Sequence, residues 1–297
     1  MVGHLASQAP LACDRARGLL YAVTAGSNII TVFSVHGDRL VRRQVIASGG
    51  TFPVSVAFHG SLLYVVNARD GGSVQGFARV GATLVKIPSW NRPPGLGPTL
   101  APEFTRTPGQ VAFTPDGSKL IVTTKGNGND IDVFTAGLPG GLPAAPDITA
   151  DPGNVPSGVT FDAGGHLAAA EAGDNAVATF TIHPDGTLTL AGRPPTGQAA
   201  TCWIARDGSL FHASNAGSGT LSGYRDGGSG TLQPLATTAT GAGTVDATSS
   251  ADGQYLYAET GANGIVDAFR AGSGGSLTPI GSVTVPGAVG AEDIAAS

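Results

Sequence analysis

The sequence predicts an all-β chain, and specifically a β-propeller built from four-stranded antiparallel blades. A short strand closed by an aromatic residue recurs along the chain, other apolar runs recur at fixed places around it, and Asp-Gly or Gly-Gly turns separate them. The 297 residues include 46 glycines and 20 prolines, whereas charged residues make up 12% and hydrophobic residues 41%. Such a composition favours a sizeable buried core of short strands interrupted by tight turns.

The strand that ends in an aromatic residue is the clearest repeat. Successive copies are 44, 57, 46, 44 and 45 residues apart, and only the second interval is long. The excess lies in a proline- and glycine-rich stretch from Pro88 to Pro108. The six copies end at Phe33, Phe77, Phe134, Phe180, Tyr224 and Phe269.

Three further apolar runs accompany each of these strands, which gives four strands per repeat, labelled a to d in chain order. Pairs such as Asp116-Gly117 separate strands a and b, because their backbones adopt the positive φ angles of tight hairpins at low cost. We predict a single propeller domain over 1–297. Its repeats lie at about 8–48, 52–90, 107–150, 155–193, 199–237 and 243–283, with a terminal strand at 291–296.

The closure of the propeller is the open point of this layout. After the sixth repeat, Ala291–Ala296 has the pattern of another strand a, and strand a of the first repeat spans Gln8–Cys13. We favour a seven-blade layout with an incomplete last blade. The alternative is a six-bladed closure in which Ala291–Ala296 completes the first blade. A monomer is slightly favoured over a dimer that forms through the incomplete blade.

Charge and composition exclude several classes of binding partner. The formal net charge of -5, without a block of like charges, argues against nucleic acid. No apolar run approaches the roughly 20 residues that span a bilayer, and no secretory signal is visible, so we expect a cytoplasmic protein without a membrane partner. Cys13 and Cys202 are expected to be small buried thiols. The oxygen-bearing residues between 127 and 132 lack calcium-loop spacing, so we expect no metal and no cofactor.

A small-molecule site is predicted at the end of the sheets where the b–c hairpins and d–a connections lie, because functional loops are the longer ones on a rigid scaffold. All six repeats place a polar residue where strand b ends: Thr24, Asn67, Lys125 (or Thr124), Glu171, Asn215 and Thr260. The d–a connections and the starts of strands a add Arg106, Gln110, Gln198, Cys202, Trp203, Asp246 and Asp293.

Glu171 is the predicted general acid or base. It follows three alanines, which leave room around it, and a partly buried carboxyl group with a raised pKa suits that role. Arg106 and Lys125 are the predicted cations for an oxyanion or a substrate carboxylate. The predicted substrate-binding residues are Asn67, Gln110, Gln198, Trp203, Asn215 and Asp246.

Several of these residues also have a structural interpretation. Asn67 and Asn215 are residues that cap turns, Lys125 could be a solvated loop cation, and Arg106 could pair with a nearby carboxylate. His212 lies inside strand b, where other repeats have tyrosine, and is expected to be a packed core residue.

The repeats resemble the lactonase-type β-propeller family, the YVTN-repeat group of bacterial 6-phosphogluconolactonase and fungal carboxymuconate cyclase. The resemblance covers almost the whole chain and implies a lactonase-like hydrolase of carbohydrate metabolism, acting on a sugar or aliphatic lactone. Family members typically have seven blades. The resemblance rests on four segments: QVAFTPDGSKLIVT from Gln110, LLYVVNA from Leu62, SNAGSGTLSGY from Ser214 and DGQYLYAETGANGIVDAF from Asp252.

The resemblance leaves the catalytic group incomplete and two other functions open. The cyclase branch is thought to use His, Arg and Glu near the channel. Only Glu171 and Arg106 match that set by location, and no His falls at the channel mouth. One alternative is a non-catalytic propeller that binds a small molecule or a protein, with its contact surface around Trp90 and Phe104. The other is a muconate-type cyclase. A fully solvated Glu171 would favour the binding protein.

Overall fold

The computed structural model describes residues 7–99, 102–137 and 141–296. The chain divides into two compact units with the boundary between Asp151 and Pro152, here called the N-terminal and C-terminal units. Each contains three four-stranded sheets, or blades. The only helices in the described ranges are the 3₁₀ turns Ala25–Ser27 and Lys125–Asn127, which confirms the all-β prediction. Neither is long and apolar enough to cross a membrane.

The N-terminal unit holds blades 1 to 3, and in each blade the strands pair antiparallel in chain order. Blade 1 consists of β1 (Leu11–Asp14), β2 (Leu19–Thr24), β3 (Ile29–His36) and β4 (Arg39–Ala47). Blade 2 consists of β5 (Pro53–His59), β6 (Leu62–Asn67), β7 (Ser73–Val80) and β8 (Thr83–Arg92). Blade 3 consists of β9 (Gln110–Phe113), β10 (Lys119–Thr123), β11 (Asp130–Thr135) and β12 (Asp147–Ala150).

The C-terminal unit holds blades 4 to 6 with the same strand order. Blade 4 consists of β13 (Pro156–Phe161), β14 (Leu167–Glu171), β15 (Ala176–Ile182) and β16 (Leu188–Gly192). Blade 5 consists of β17 (Thr201–Asp207), β18 (Leu210–Asn215), β19 (Thr220–Asp226) and β20 (Leu232–Ala239). Blade 6 consists of β21 (Thr244–Ser249), β22 (Tyr255–Thr260), β23 (Ile265–Ala271) and β24 (Leu277–Thr284).

The recurring aromatic residues occupy equivalent positions in the blades, as the repeat predicts. Each lies in the third strand of its blade, directly opposite a large apolar residue of the second strand. That residue is leucine in five blades and Phe211 in blade 5. The pairs are Leu20–Phe33, Leu63–Phe77, Leu120–Phe134, Leu167–Phe180, Phe211–Tyr224 and Leu256–Phe269.

Apolar faces of neighbouring blades pack together within each unit. In the N-terminal unit, Tyr21 and Val56 belong to one buried cluster between blades 1 and 2, while Tyr64 and Phe134 belong to another between blades 2 and 3. In the C-terminal unit, Phe211 contributes to the cluster between blades 4 and 5. The first strands of adjacent blades also contact one another, so each unit has a continuous row of inner strands.

The favoured seven-blade layout is wrong in one respect. The described ranges contain six four-stranded sheets, and Ala291–Ala296 forms no strand. The reason is local: the Asp293 amide donates to the Glu259 side chain at 2.7 Å, and the Ile294 amide donates to the Asp293 side chain at 3.0 Å. These N–H groups are therefore not available for a β ladder. The six-blade count, stated as the alternative, is confirmed, and β1 pairs with β2 alone.

The first inner strand is shorter than predicted. It begins at Leu11, and the preceding residues cross to the neighbouring blades of the N-terminal unit. The Ser7 hydroxyl donates to the Pro108 carbonyl at 2.5 Å, and the Gln8 amide donates to the Gly109 carbonyl at 2.8 Å. The Ser55 hydroxyl donates to the Gln8 carbonyl at 2.7 Å. This segment therefore ties the starts of β5 and β9 together.

A left-handed backbone residue stands immediately before several first strands. Phe52 and Val155 have φ angles of 64° and 55°, which is unusual for bulky and β-branched residues. Ala200, immediately before β17, and Ala9, two residues before β1, adopt the same conformation at 56° and 61°. Asn28 supports the turn at Phe52, because its side-chain oxygen accepts the Phe52 amide at 2.7 Å. Each of these four residues lies where the chain enters a new blade.

His212 is a packed core residue, as predicted, and its exposed fraction is 1%. Burial lowers the pKa of its imidazole to about 4. The unfolded chain takes up a proton near pH 6.5, whereas the folded one does so only near pH 4, so the histidine makes folding less favourable as the pH falls through that window.

Replacing His212 with Phe should remove this acid sensitivity. Between pH 6.5 and 4, the wild-type free energy of unfolding should fall by up to about 3 kcal/mol more than that of H212F. Urea unfolding at a series of pH values measures the difference. The matched control is H183F, at a half-buried histidine whose ring contacts the Thr189 hydroxyl. Parallel pH profiles for wild type and H212F would contradict the prediction.

Candidate functional site

The predicted site residues all lie at the b–c ends of the blades, but they are divided between the two units. Arg106 and Lys125 belong to the N-terminal unit, whereas Glu171 belongs to the C-terminal unit. Of the predicted substrate-binding residues, Asn67 and Gln110 lie in the N-terminal unit. The others, in the C-terminal unit, are Gln198, Trp203, Asn215 and Asp246.

Glu171 is completely buried at the end of β14 and forms an ion pair with Arg193. The Arg193 Nε lies 2.7 Å from Oε2, and a terminal nitrogen donates to Oε1 at 3.0 Å. This two-point contact fixes the plane of the guanidinium group. The Arg193 side chain keeps 27% of its surface exposed, whereas that of Glu171 keeps none. Arg193 is therefore the accessible member of the pair, and Glu171 positions it.

Arg193 is also distinguished by where it lies. It follows β16 in the connection from blade 4 to blade 5, at the b–c end. The C-terminal unit has three other arginines, and no lysine. Arg206 and Arg225 lie next to hairpins at the opposite end of blade 5, and Arg270 lies over the ring of Tyr255 at the start of β22. Arg193 is thus the basic side chain that this end of the described C-terminal unit offers to a ligand.

Asn215 joins β18 to its neighbours through a hydrogen-bond network. Its side-chain oxygen accepts the Thr201 hydroxyl at 2.7 Å, and its amide donates to the Ser222 hydroxyl at 2.9 Å. The amide also contacts the Thr220 hydroxyl at 3.1 Å, which in turn donates to Gln198 at 3.1 Å. The residue is completely buried. This geometry favours the turn-capping interpretation of Asn215. Gln198, by contrast, is only half-buried.

Trp203 is also an interior residue. It lies in β17 opposite Ser214 and is 1% exposed. Its ring therefore stabilises the packing of blade 5 and has little surface with which to contact a ligand.

A buried cluster of carboxyl groups lies in blade 6, where Asp246, Glu259, Glu292 and Asp293 meet. Asp246, Glu259 and Glu292 are 4%, 5% and 6% exposed. Burial raises the pKa of Asp246, although hydrogen bonds from Asp293 and the backbone oppose the rise. Burial also raises the pKa of Glu259 to about 7, despite the hydrogen bond from the Asp293 amide, and the nearby Asp246 and Glu292 charges add to the rise. Glu259 therefore exchanges a proton near neutral pH.

Neither Arg193 nor Glu259 was among the site residues predicted from the sequence. Glu259 stands in the strand YLYAET, where the equivalent positions of other repeats are apolar or small, so an isolated charge in strand b was the available signal. Its raised pKa, however, arises first from burial and then from the charges of Asp246 and Glu292, and these depend on tertiary contacts. The sequence showed only that Arg193 follows the fourth strand of its repeat, and no pattern in it connected Arg193 with Glu171.

Lys125 and Arg106 come together in the N-terminal unit, on either side of Glu103. The Arg106 Nε lies 3.8 Å from the Glu103 carboxylate, and both side chains are about half exposed. Lys125 is 3% exposed, and its ammonium group donates to the Phe104 carbonyl at 3.2 Å. Partial burial acts to raise the pKa of Glu103, but the hydrogen bonds from Thr105, followed by the charges of Arg106 and Lys125, lower it overall. The ion pair with Glu103 favours the structural interpretation of Arg106. Lys125 is buried, so it is not the solvated loop cation that the sequence also allowed.

The remaining predicted residues of the N-terminal unit lie inside the blades. Asn67 is completely buried at the end of β6, where its amide donates to the Ser73 hydroxyl at 3.0 Å. Gln110 begins β9 and lines a cleft of about 310 Å³ along the inner strands β1, β5 and β9. That cleft is lined mainly by apolar and aromatic side chains, including Phe58 and Phe113, and its lining contains no carboxylate.

The insertion between blades 2 and 3 does not present an exposed aromatic patch. Trp90 stacks on Tyr64 with ring centroids 6.3 Å apart, and Gly141 lies against its indole ring. Phe104 is half-buried beside the Lys125 ammonium group. Within the described ranges, no group of three or more His, Cys, Asp or Glu side chains is arranged to hold a metal ion.

Solved structures establish the fold. A candidate 6-phosphogluconolactonase of Bacteroides fragilis is 19% identical, with a TM-score of 0.77 over 93% of this chain and 83% of that one. The counterpart from Bacteroides uniformis is 19% identical, with a TM-score of 0.74 over 93% and 84%. The periplasmic gluconolactonase of Pseudomonas aeruginosa is 19% identical, with a TM-score of 0.72 over 91% and 83%.

The chain therefore has the β-propeller fold that these lactonase-type proteins share, which confirms the fold expected from the sequence resemblance. At these identities the likeness concerns the fold alone. No protein-family model matches the chain, and no curated protein matches it.

Proposed function

We propose that the protein is a lactonase-like hydrolase that opens a small cyclic ester at the b–c end of its C-terminal unit. The observation that carries the proposal is Glu259, a buried carboxyl group that exchanges its proton near pH 7. A general base is most effective when its pKa lies near the working pH. The lactonase names of the structural neighbours support the same class of reaction.

In this mechanism Glu259 takes a proton from water, and the resulting hydroxide adds to the lactone carbonyl carbon. The negative charge then develops on the carbonyl oxygen, which Arg193 stabilises because Glu171 holds its guanidinium group in a fixed plane. When the intermediate collapses, the ring C–O bond breaks and the leaving oxygen takes the proton back from Glu259. The product is a hydroxy acid, and no covalent enzyme intermediate forms.

The roles differ from those expected from the sequence, because Glu259 replaces Glu171 as the general base and Arg193 replaces Arg106 and Lys125 as the cation. Glu171 positions Arg193, because one of its oxygens accepts a hydrogen bond from the guanidinium group, the other lies in ion-pair contact with it, and none of its surface is exposed. Gln198 stays a proposed substrate-binding residue, since it is half-buried at the same end of the unit. A cytoplasmic location stays a prediction, and one of the structural neighbours is periplasmic.

Replacing Glu259 with Gln should lower kcat for lactone hydrolysis by about 10²- to 10⁴-fold, because the amide cannot accept the proton of water. The kcat of both proteins is measured by pH-stat on a panel of sugar, aliphatic and muconate-type lactones. In the wild-type enzyme, kcat should rise with pH through about 7 as Glu259 loses its proton. In E259Q this rise should disappear.

The control is E103Q, an exposed glutamate of the N-terminal unit that should leave lactone hydrolysis unchanged. R193K separates the two proposed contributions, because lysine keeps the charge but loses the two-point contact. A lower kcat in R193K places the cation at the reacting oxygen, whereas a higher KM alone places it at a remote substrate group. If E259Q hydrolyses lactones with the same kcat as the wild type, the proposal is overturned.

A non-catalytic binding propeller is the second candidate. It is favoured by the number of predicted site residues whose polar atoms bond to other parts of the protein, above all Asn215 and Lys125. If no lactone of the panel is hydrolysed by a folded sample, this function replaces the first one.

A further inference from the structure

We infer that the cleft between blades 5 and 6 binds a small primary ammonium ligand through Asp267. The cleft lies among the outer strands of the C-terminal unit and has a volume of about 320 Å³. It is formed by the end of β20 on one side and by β23 and β24 on the other. This site is independent of the proposed hydrolase site.

Asp267 supplies the charge of the cleft. One carboxylate oxygen accepts the Gly241 amide at 2.8 Å, and the other accepts the Ser282 hydroxyl at 2.6 Å. These two bonds hold the carboxylate in place, and each oxygen retains a lone pair for a further donor. None of the residues that line the cleft is basic. The absence of a basic side chain from this lining favours a cationic ligand.

The equivalent position in blade 2 shows why this cleft is open. Gln75 stands two residues before Phe77, as Asp267 stands two before Phe269. The Gln75 amide fills its own gap by donating to the Ile87 carbonyl at 2.9 Å, at the irregularity between β7 and β8. Its side chain packs so closely on Gly49 that a β-carbon there would lie 2.6 Å away.

Blade 6 has the same type of irregularity, between Ala268 and Phe269, but a shorter side chain beside it. Asp267 lacks one methylene group relative to Gln75 and bonds to Gly241, which follows β20 as Gly49 follows β4. The gap that glutamine closes in blade 2 is consequently left unfilled in blade 6.

The chemistry of the lining selects the ligand. A primary ammonium group has three donors and no acceptor, and the cleft offers acceptor oxygens from Asp267, Ser282 and Thr240. Ala239, Ala268 and Pro279 provide apolar surface for a short aliphatic stem. The charge around the cleft acts in the same direction, because residues 152–297 contain twelve Asp and Glu against four Arg.

Titration with propylammonium chloride, followed by amide chemical shifts of ¹⁵N-labelled protein, tests the inference. The Gly241 amide reports directly, because it is bonded to Asp267. We expect saturable shifts at Gly241 and Ser282 in the wild type. D267N should weaken binding by about tenfold or more, because it removes a charge-assisted hydrogen bond. D267Q should abolish it, since glutamine also fills the gap as in blade 2.

The matched control is D226N, at another aspartate of the same unit, whose carboxylate contacts the exposed Gly228 turn. It should bind propylammonium as the wild type does. Equal shifts with sodium chloride, or undiminished binding in D267N, would overturn the inference. Saturable shifts with glucose and none with propylammonium would also overturn it, in favour of a neutral polyol site.

Discussion

Replacing Asp132 with Asn should raise the free energy of unfolding at pH 8 by up to about 4 kcal/mol. Asp132 lies in β11 among the apolar side chains between blades 2 and 3, and its Oδ2 is buried without a hydrogen-bond partner in the described ranges. Burial, with a contribution from Asp130, raises the pKa of this carboxyl group to about 7. The folded state therefore binds the proton more tightly than the unfolded state does.

The sign of the pH dependence follows from that difference. Below about pH 4 the group is protonated in both states, so wild type and D132N should be similarly stable. Between pH 4 and 7 the unfolded chain ionises first, and the wild type should lose stability relative to D132N. Urea unfolding at several pH values measures this divergence.

Asp116 provides a control of opposite sign. Hydrogen bonds from Thr114 and Ser118 lower the pKa of its carboxyl group to about 2. D116N should therefore reduce stability at pH 7, and the difference from wild type should vanish as the pH falls towards 2. Equal stabilities of D132N and wild type at pH 8 would show that folding does not raise the pKa of Asp132.

Replacing Arg193 with Met should destabilise the protein by about 3–5 kcal/mol, because it leaves the Glu171 carboxylate buried without its counter-charge. Glu171 has no exposed surface, and both of its oxygens contact the guanidinium group. The double variant E171Q/R193M should recover part of this loss, since it removes the unpaired charge as well. Urea unfolding at neutral pH compares the three proteins.

The control for this series is R225M. Arg225 makes one contact at the limit of hydrogen bonding, 3.5 Å from the Ser273 carbonyl, at an exposed position. Its replacement should change the stability by less than about 1 kcal/mol. If R193M is as stable as R225M, the ion pair contributes nothing and Glu171 is not charged in the fold.

The sequence was sufficient to predict the blades, because the repeat is a packing requirement. Every blade needs a large aromatic side chain in strand c opposite a large apolar side chain in strand b, so the pattern survives where other residues differ. Phe77 opposite Leu63 and Phe269 opposite Leu256 show the same register in the two units. Turn residues such as Asp116-Gly117 then fixed where each strand ended.

The candidate site was predictable only in outline. Local pattern placed polar residues correctly at the b–c ends, but the partner of each residue depends on tertiary contacts. Glu171 was expected to be a partly buried carboxyl group, whereas it is completely buried and pairs with Arg193, which is 22 residues later. Glu259 owes its raised pKa mainly to burial, and its side chain accepts the amide of Asp293, which is 34 residues later. The predicted strand Ala291–Ala296 is absent for the same reason. Two of its amides donate to carboxylates, and the alternating pattern of the sequence does not reveal those contacts.

The left-handed residues before the first strands bear on how this protein could be used as a repeat template. A consensus drawn from its blades would copy Phe52 or Val155 into a position where an L-residue costs roughly 1–2 kcal/mol. Gly243 occupies the corresponding place before β21, with a φ of 70°, and meets the same requirement without that steric cost. Blade 6 is therefore the better source of the junction sequence. With the junction of blade 2 or 4, the steric cost of the left-handed residue would be added again with every copy.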